Sequence, residues 1–339
     1  MHGRPRQLTD VTHQTTTAPA AVAGAVVAPG SEGDIVRVDD IVFDYPTQRA
    51  LHGITFEVAA GSVTALVGPN GAGKTTLMRC MAALETPYAG RVLIDGADVH
   101  DDPRESHREL GYLSDFFGLY DDLTVTQCLR HAAAMHGLGG AGERAAVERA
   151  IGLLDMDELA AKKAGEMSRG QRQRLGIAQA IIHDPRIVLL DEPASGLDPL
   201  ARQALSGLML RLRDHGMTLI VSSHILAELE DYSSHVLVLD RGRLVDHRAL
   251  GGETTHARYR LDVAEGGAAL AAALARHEAI TDVIADDGGA TFRAPRDLVF
   301  RRDLVRDLVT SGVPVVGLKE ATLGLRDIYR EVAGDGREA

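Results

Sequence analysis

An eight-residue glycine-rich stretch, Gly68-Pro-Asn-Gly-Ala-Gly-Lys-Thr75, constrains this chain more than any other part of its sequence. It satisfies the spacing G-x-x-x-x-G-K-[ST] of a phosphate-binding loop at every fixed position. An apolar run from Val63 to Val67 enters the loop, and a helix-competent run from Lys74 to Leu84 leaves it. Since such a loop lies between a strand and a helix, this context favours phosphate binding over a glycine-rich surface turn.

The residue types in this loop suit a nucleoside triphosphate with its Mg²⁺ ion. Glycines can adopt backbone angles that point successive N–H groups at an anion, and the following helix N-terminus favours negative charge. Lys74 adds a positive charge for the β- and γ-phosphates, and Thr75 offers a hydroxyl to Mg²⁺. The residues predicted to bind nucleotide here are Gly68, Pro69, Asn70, Gly71, Ala72, Gly73, Lys74, Thr75 and Thr76.

A second element is the apolar run Ile187 to Leu190, which ends in Asp191 and Glu192. A buried parallel strand has this pattern when its carboxyl end opens on a ligand. We expect Asp191 to hold Mg²⁺ and Glu192 to orient or deprotonate the attacking water. A solvated strand end is the alternative, but after a phosphate loop the acid pair is typical of a Walker B element.

The segment Met167-Ser-Arg-Gly-Gln171 opens a predicted helix, Arg169 to Ile182, just before that strand. It resembles the LSGGQ signature of the ATP-binding cassette (ABC) family, with Met for Leu and Arg for the first Gly. Ser168 can cap the helix and Gly170 lets phosphate approach its N–H groups. A plain capped helix is the alternative.

The resemblance, which runs from about residue 35 to residue 250, carries further implications. It implies a head-to-tail dimer with two ATP molecules between the chains, in which Ser168, Arg169, Gly170 and Gln171 of one chain contact the nucleotide of the other. It also implies an α/β fold, a P-loop NTPase cassette with a mostly parallel sheet core, an antiparallel β layer and a helical subdomain.

Three other positions match the family. Tyr45 lies where the family stacks an aromatic ring on adenine, and the alternative is a half-buried strand tyrosine. Ser195-Gly-Leu-Asp198 resembles the D-loop that crosses between subunits, and the alternative is a glycine turn capped by Asp198. His224 follows the apolar run Leu219 to Val221 and resembles the switch histidine that touches the γ-phosphate; a neutral imidazole can donate to phosphate while accepting elsewhere.

One segment departs from the family pattern. Where the family has Gln, this chain reads Gly111-Tyr-Leu-Ser-Asp115. Gln127 is a poor substitute, because it lies in a helical pattern typical of a surface residue. Asp115 inherits the position, and we expect its carboxylate to be an outer-sphere or direct oxygen ligand of Mg²⁺ beside Thr75 and Asp191.

Periodicity and composition divide the chain. Residues 1–33 are rich in Thr, Ala, Pro and Gly, which predicts a disordered tail rather than a secretion signal. Residues 34–250 form the cassette, with a helical subdomain at about 119–182. Alternating residues from Ile35 to Val67 predict antiparallel strands, and Ala89 to Asp95 and Leu110 to Leu113 are predicted to extend that layer.

Residues 251–334 read as β-α-β-β-α-β, which suits a small ferredoxin-like α+β accessory domain. An amphipathic helix from Leu323 to Val332 is predicted to close it, before a tail at 335–339. We assign no ligand to this domain, because its arginines alternate with aspartates as on a solvated helix face.

Composition excludes several classes of protein. A net charge of −12 argues against a nucleic-acid surface, which requires clustered Lys and Arg. The two cysteines, Cys80 and Cys128, have no metal-ligand spacing and are expected to be buried. No apolar run reaches the length of about 20 residues that spans a bilayer, so the chain itself is expected to be soluble.

The sequence therefore predicts an ATP-binding, ATP-hydrolysing subunit of an ABC transporter. It would pair as a homodimer, or with a related ABC subunit, on the cytoplasmic face of the cell membrane and drive export through a separate integral membrane permease. A non-transport ABC ATPase acting on nucleic acid or ribosomes is the alternative; long heptad insertions, a second cassette or a basic face would indicate it, and the sequence has none. A P-loop kinase or GTPase would lack the signature, the D-loop and the switch histidine.

Overall fold

The computed structural model describes residues 33–225, 229–250, 256–264, 267–277 and 279–320. The predicted tails at 1–33 (apart from Gly33) and 335–339, and the predicted helix Leu323 to Val332, lie outside the described residues. Within the described ranges, no helix combines the length and apolar character that crossing a membrane requires.

The elements are numbered in chain order. The strands are β1 (Asp34–Tyr45), β2 (Gln48–Ala59), β3 (Val63–Val67), β4 (Ala89–Ile94), β5 (Ala97–Asp98), β6 (Leu110–Leu113), β7 (Ile187–Leu190), β8 (Thr218–Ser223), β9 (His235–Asp240), β10 (Arg243–Ala249), β11 (His256–Val263), β12 (Thr281–Asp286), β13 (Gly289–Pro295) and β14 (Val315–Glu320). The helices are α1 (Lys74–Met81), α2 (Pro103–Glu109), α3 (Val125–Met135), α4 (Gly140–Leu153), α5 (Arg169–Ala180), α6 (Pro199–Asp214), α7 (Gly267–Leu274) and α8 (Leu298–Thr310).

A six-stranded sheet of order β10-β9-β3-β8-β7-β6 forms the centre of the N-terminal part. Its strands from β9 to β6 pair in parallel, and β10 pairs with β9 antiparallel. Every residue of β3, β7 and β8 is buried, as expected for strands covered on both faces. Each such Leu, Ile or Val side chain contributes roughly 1.5–3 kcal/mol by leaving water.

A second sheet of order β2-β1-β4-β5 is antiparallel and supplies the predicted β layer. The prediction that Leu110 to Leu113 extends this layer is wrong, because β6 pairs in parallel with β7 at the edge of the central sheet. The predicted antiparallel run from Ile35 to Val67 likewise ends too late, since β3 belongs to the central sheet. Both strands are short and mostly or wholly buried, and alternation cannot assign such strands to a sheet.

Helix α1 ends three residues before the predicted Leu84. Ala83 takes the left-handed conformation at φ 52°, and the N–H of Leu84 donates to the carbonyl of Arg79. This is the closing pattern that ends many helices, and it satisfies carbonyls that would otherwise lack a partner.

Helices α3, α4 and α5 lie in the chain between β6 and β7, within the predicted helical region. Thr124 and Gln127 exchange side-chain-to-backbone hydrogen bonds at the start of α3, which makes Gln127 an exposed helix-capping residue. Cys80 and Cys128 are buried free thiols, as expected.

The C-terminal part has its own antiparallel sheet of order β12-β13-β11-β14. The chain order β-α-β-β-α-β is the predicted one. Tyr259, Leu261 and Phe292 are buried in this part, with Leu304 and Leu308 of α8.

The carboxyl ends of three parallel strands meet at one edge of the central sheet. Val67 of β3 lies opposite Ser223 of β8, and Leu190 of β7 lies opposite Val221. The residues that follow these strands therefore share that edge, where open α/β sheets bind ligands.

Candidate nucleotide-binding site

A cavity of about 790 Å³ opens at this edge. The sequence-predicted site residues that line it are Tyr45, Asn70, Gly71, Gly73, Lys74, Thr75, Thr76, Asp115, Arg169, Glu192 and His224. The other predicted signature residues, Ser168, Gly170 and Gln171, line a separate cavity of about 240 Å³. The fold thus brings the phosphate loop and the acid pair after β7 to one cavity, whereas most signature residues line another.

The loop between β3 and α1 requires glycine for steric reasons. A Cβ on Gly68 would lie 2.3 Å from the carbonyl oxygen of Leu239, which no side chain can tolerate. Gly71 and Gly73 have φ of 80° and 104°, in the left-handed region that glycine enters freely. Gly73 precedes α1 without a side-chain cap, so the first N–H groups of α1 remain available to an anion.

Lys74 is buried, with 6% of its surface exposed, at the start of α1. Its Nζ donates to the carbonyl oxygens of Gly68 at 2.8 Å and Pro69 at 3.3 Å, and lies 3.8 Å from Oε1 of Glu192. Burial lowers the pKa of Lys74, and the carboxylates of Glu192 and Asp191 oppose that shift. The phosphate loop therefore already holds the Lys74 ammonium in position to bind a phosphate oxygen.

Asp191 is 1% exposed at the end of β7. Its Oδ1 accepts a 2.5 Å hydrogen bond from the Ser222 hydroxyl, whereas its buried Oδ2 has no hydrogen-bond partner. Burial raises the pKa of Asp191, and the hydroxyls of Ser222 and the nearby Thr75 oppose this shift. An unsatisfied buried carboxylate oxygen is costly and suits a cation ligand.

Glu192 and His224 are in direct contact. Oε2 of Glu192 lies 2.7 Å from Nδ1 of His224, and Glu192 has a left-handed backbone with φ 49°, its N–H bonded to Ser222. A carboxylate can only accept, so Nδ1 of His224 donates, and Nε2 of a neutral imidazole is then an acceptor. In this arrangement a neutral His224 cannot donate Nε2–H to phosphate, which the sequence-based interpretation required.

Tyr45 and Asp115 lie in the wall of the same cavity. The Tyr45 hydroxyl is 3.2 Å from Oγ1 of Thr76. The residue is 38% exposed, and the ring of Phe43 packs edge-on against its ring. Adenine stacking by Tyr45 stays a prediction. The charge of Asp115 contributes to the raised pKa of Asp191, so the two carboxyl groups are near one another.

The signature and D-loop residues make helix caps. Ser168 and Gln171 form a reciprocal capping box at the start of α5. Asp198 caps α6 by accepting from the N–H of Ala201 at 2.9 Å. These caps agree with the simpler interpretation of each segment, a plain capped helix for the signature and a glycine turn capped by Asp198 for the D-loop.

Comparison with known proteins places this arrangement in a family. A family model described as ABC transporter matches residues 51–195. The daunorubicin resistance ATP-binding protein DrrA3 of Streptomyces coeruleorubidus is 30% identical over 309 residues, covering 89% of this chain and 96% of that protein. The chain belongs to the ABC transporter ATP-binding family.

Two further relatives of this ABC protein differ in coverage. The probable multidrug ABC transporter ATP-binding protein YbhF of Escherichia coli K12 is 31% identical over 64% of this chain, but the match spans only 37% of YbhF. A solved structure of the ATP-binding subunit of an ABC transporter is 31% identical, with a TM-score of 0.57, over 64% of this chain and 90% of that one. The family and the fold class predicted from the motifs are confirmed.

The ABC cassette's oxygen donors fit Mg²⁺ bound together with a nucleotide. Thr75 and the unsatisfied Oδ2 of Asp191 supply a hydroxyl and a carboxylate, the ligands this hard cation prefers. Among the described residues no group of three or more His, Cys, Asp or Glu is arranged to hold a metal by itself. Phosphate and water oxygens would have to complete the shell, as is usual for Mg²⁺.

Several residues of the ABC site escaped the sequence interpretation. Ser222 orients both strand-end acids, and Arg241 and Gly242, in the β9–β10 turn, line the cavity. The N–H of Gly242 donates to the carbonyl of Ala72 at 2.9 Å, which ties this turn to the phosphate loop. Ser222 was predictable, because the order Ser-Ser-His directly follows the apolar run Leu219 to Val221. The approach of the β9–β10 turn to the phosphate loop was not, because it depends on the order of the strands in the sheet.

Proposed function

We propose that this chain is the ATP-binding and ATP-hydrolysing subunit of a transporter, and that it dimerises on ATP. The contact of Lys74 and His224 with the same carboxylate, Glu192, supports this proposal most directly. It combines a phosphate-binding cation, a base and a residue that orients the base within one cavity.

Binding would begin at the phosphate loop. The N–H groups at the start of α1 and the ammonium of Lys74 receive the β- and γ-phosphates, and Lys74 then exchanges its contact with Glu192 for phosphate oxygens. Tyr45 lies on another wall of the cavity, where its exposed ring is available to a base. Mg²⁺, when bound by Thr75 and Asp191, supplies positive charge that offsets the charge of the transferring phosphoryl group.

Hydrolysis needs a carboxylate free to accept a proton from water. Glu192 is that group, since its side chain is 17% exposed at the cavity and its backbone N–H is fixed by Ser222. While Glu192 accepts from His224 Nδ1, the imidazole holds the carboxylate in place. Release of this contact on nucleotide binding would let His224 turn a donor toward the γ-phosphate.

The separation of the two cavities supports the proposed dimer. Ser168, Gly170 and Gln171 line their own smaller cavity, and among the described residues none of the phosphate loop lines it. A second copy, or a related ABC subunit, can bring its phosphate loop to them.

Transport through a separate integral membrane permease, on the cytoplasmic face of the membrane, is proposed from family membership, and export from the names of DrrA3 and YbhF. The net charge of −12 disfavours a nucleic-acid partner.

The test is ATP-dependent dimerisation of Glu192→Gln. Removal of the base keeps the side chain's shape and blocks chemistry, so bound ATP should hold a closed dimer that light scattering detects after size exclusion. Glu158→Gln, at an exposed position outside the cavity, serves as the matched control and should return to monomer as ATP is consumed. A Glu192→Gln protein that binds Mg-ATP yet stays monomeric would contradict the proposed dimer.

A further inference from the structure

The start of α1 divides the nucleotide cavity into two sides. Lys74 Nζ lies 3.8 Å from Oε1 of Glu192, which also contacts His224, so the terminal phosphate of the proposed nucleotide lies on that side. Residues two apart on a helix point in different directions, and Thr76 Oγ1 is instead 3.2 Å from the Tyr45 hydroxyl. The nucleoside, and the α-phosphate that joins it to the loop, therefore lie on the Tyr45 side.

Arg241 lies in a two-residue turn that is fixed against the phosphate loop. Residues 241 and 242 connect β9 to β10, and both have left-handed φ, 47° and 72°. The N–H of Gly242 donates to the carbonyl of Ala72 at 2.9 Å, and the carbonyl of Gly242 accepts from the N–H of His52 at 2.8 Å. These two hydrogen bonds hold the backbone of Arg241 beside the phosphate loop.

Turn geometry alone does not account for arginine at position 241. A two-residue turn with positive φ at both positions favours Asn or Asp followed by Gly, because these residues enter the left-handed region most readily. Gly242 fits this preference, and a Cβ there would collide with the carbonyl oxygen of Ala50. Arg241 instead carries backbone strain, which in folded proteins is concentrated at binding and active sites.

The guanidinium of Arg241 carries a charge that no protein group balances. Its exposed side chain lines the cavity, and among the described residues no carboxylate, hydroxyl or carbonyl is bonded to it. Arg49, which lines the cavity near Tyr45, differs, because it donates to both carboxylate oxygens of Asp44 at 2.7 and 2.9 Å. Arg241 therefore offers free donors in a planar fork, which suits phosphate oxygens.

We infer that Arg241 binds the α-phosphate of the nucleotide. Two cations then share the polyphosphate, Lys74 at its terminal groups and Arg241 at its nucleoside end. The inference rests on the proposed nucleotide site. Because ATP and ADP both carry an α-phosphate, Arg241 contributes equally to the binding of both.

The test is isothermal titration of the full-length chain with a non-hydrolysable ATP analogue and with ADP, each with Mg²⁺. Arg241→Asn removes the charge and suits the turn, since Asn takes positive φ readily. It should weaken binding of both nucleotides by the same factor, about tenfold, the range of a charge-assisted hydrogen bond. Arg241→Lys should lose less, because it keeps the charge but not the planar fork. Arg243→Asn, exposed in the same hairpin and outside the cavity, is the matched control and should match wild type.

A second titration separates the phosphate from the nucleoside. Inorganic triphosphate, which has no base or ribose, competes with a fluorescent ADP analogue for wild type and for Arg241→Asn. Arg241→Asn should weaken triphosphate binding by the same factor as ADP binding. A loss for ADP that spares triphosphate, or a wild type that binds ADP but not triphosphate, would overturn the α-phosphate contact, because the nucleoside would then be the group recognised.

The outcomes separate this inference from the proposed function. If wild type binds neither nucleotide, the proposed function is wrong. If wild type binds both and Arg241→Asn binds them equally well, only the Arg241 contact is overturned. A loss for the ATP analogue that spares ADP would also overturn it, since the terminal phosphate would be the group recognised. An equal loss in Arg243→Asn would do the same, because the general charge of the hairpin would explain the effect.

Discussion

Lys74 places a buried positive charge at the phosphate loop. Lys74→Ala should weaken ATP binding by about 1.5–3 kcal/mol and abolish hydrolysis, because the loop's N–H donors then act without a cation. Isothermal titration and phosphate release measure the two effects. Lys163→Ala, which removes an exposed ion pair with Asp122, should leave both unchanged. Normal ATP turnover by Lys74→Ala would contradict the phosphate-loop interpretation.

Asp115 stands where the family has Gln, near the buried Asp191. Asp115→Ala should leave metal-free nucleotide affinity nearly unchanged but raise the Mg²⁺ concentration that half-saturates turnover, because an oxygen ligand is lost. Asp115→Gln should retain most activity, since it restores the amide oxygen. The measurement is a Mg²⁺ titration of ATPase rate beside metal-free nucleotide binding.

Asp122→Ala supplies the control for Asp115, since Asp122 is fully exposed in the same segment. If Asp115→Ala follows the wild-type Mg²⁺ curve, Asp115 is not a metal ligand. In reconstituted transporter, transported substrate should stimulate the ATPase rate of Asp115→Ala less than that of Asp122→Ala.

At the scale of elements, a histidine pair joins α3 to the chain after α5. The rings of His136 and His183 stack with centroids 3.8 Å apart and planes 8° apart. Nε2 of His183 lies 3.3 Å from the Leu110 carbonyl, and its buried Nδ1 has no partner. Burial, with His136 adding to it, lowers the pKa of His183 to about 4.

This pair makes stability depend on pH. Between the ordinary pKa of about 6.5 and the folded value of about 4, the unfolded state binds more protons, so stability falls as pH falls. His183→Gln should therefore lose less stability than wild type between about pH 7.5 and about pH 5 in urea unfolding. His131→Gln, on the exposed face of α3, is the control. Parallel pH profiles for His183→Gln and wild type would rule out His183 as the group responsible.

Local sequence patterns predict some of these elements and not others. The phosphate loop, the acid pair and their flanking strand and helix are local patterns, so β3 and β7 were found with their observed bounds. The sheet to which β6 belongs was not predicted, because a short, mostly buried strand lacks the alternation that would indicate its partner strand. The contact between Glu192 and His224 depends on the register of β7 with β8, and the direction of Arg169 depends on how α5 packs beside Gly196. Such long-range geometry is absent from local sequence.

At the scale of the molecule, the C-terminal part has a core of its own. Tyr259, Leu261 and Phe292 belong to a cluster that shares no residue with the two clusters of the cassette. Phe292→Ala should destabilise this part by about 3–5 kcal/mol and leave ATP affinity unchanged. Phe56→Ala, in the cassette, should lower the melting temperature of the ATP-stabilised transition. Calorimetry with and without nucleotide measures both, and loss of ATP binding in Phe292→Ala would show that the cores depend on each other.

The position of β3 between β8 and β9 has a consequence for how the protein is made. Val63 pairs with Leu219, and Thr64 pairs with His235, so the strand that carries the phosphate loop finds both neighbours late in the chain. β1 pairs with β2 and with β4, all synthesised early, so these strands can form first. During translation the nascent phosphate loop therefore stays without its central sheet until β9 has emerged, and its apolar strand is exposed to aggregation in the meantime. The nucleotide site is completed by the later strands, although its defining motif is synthesised early.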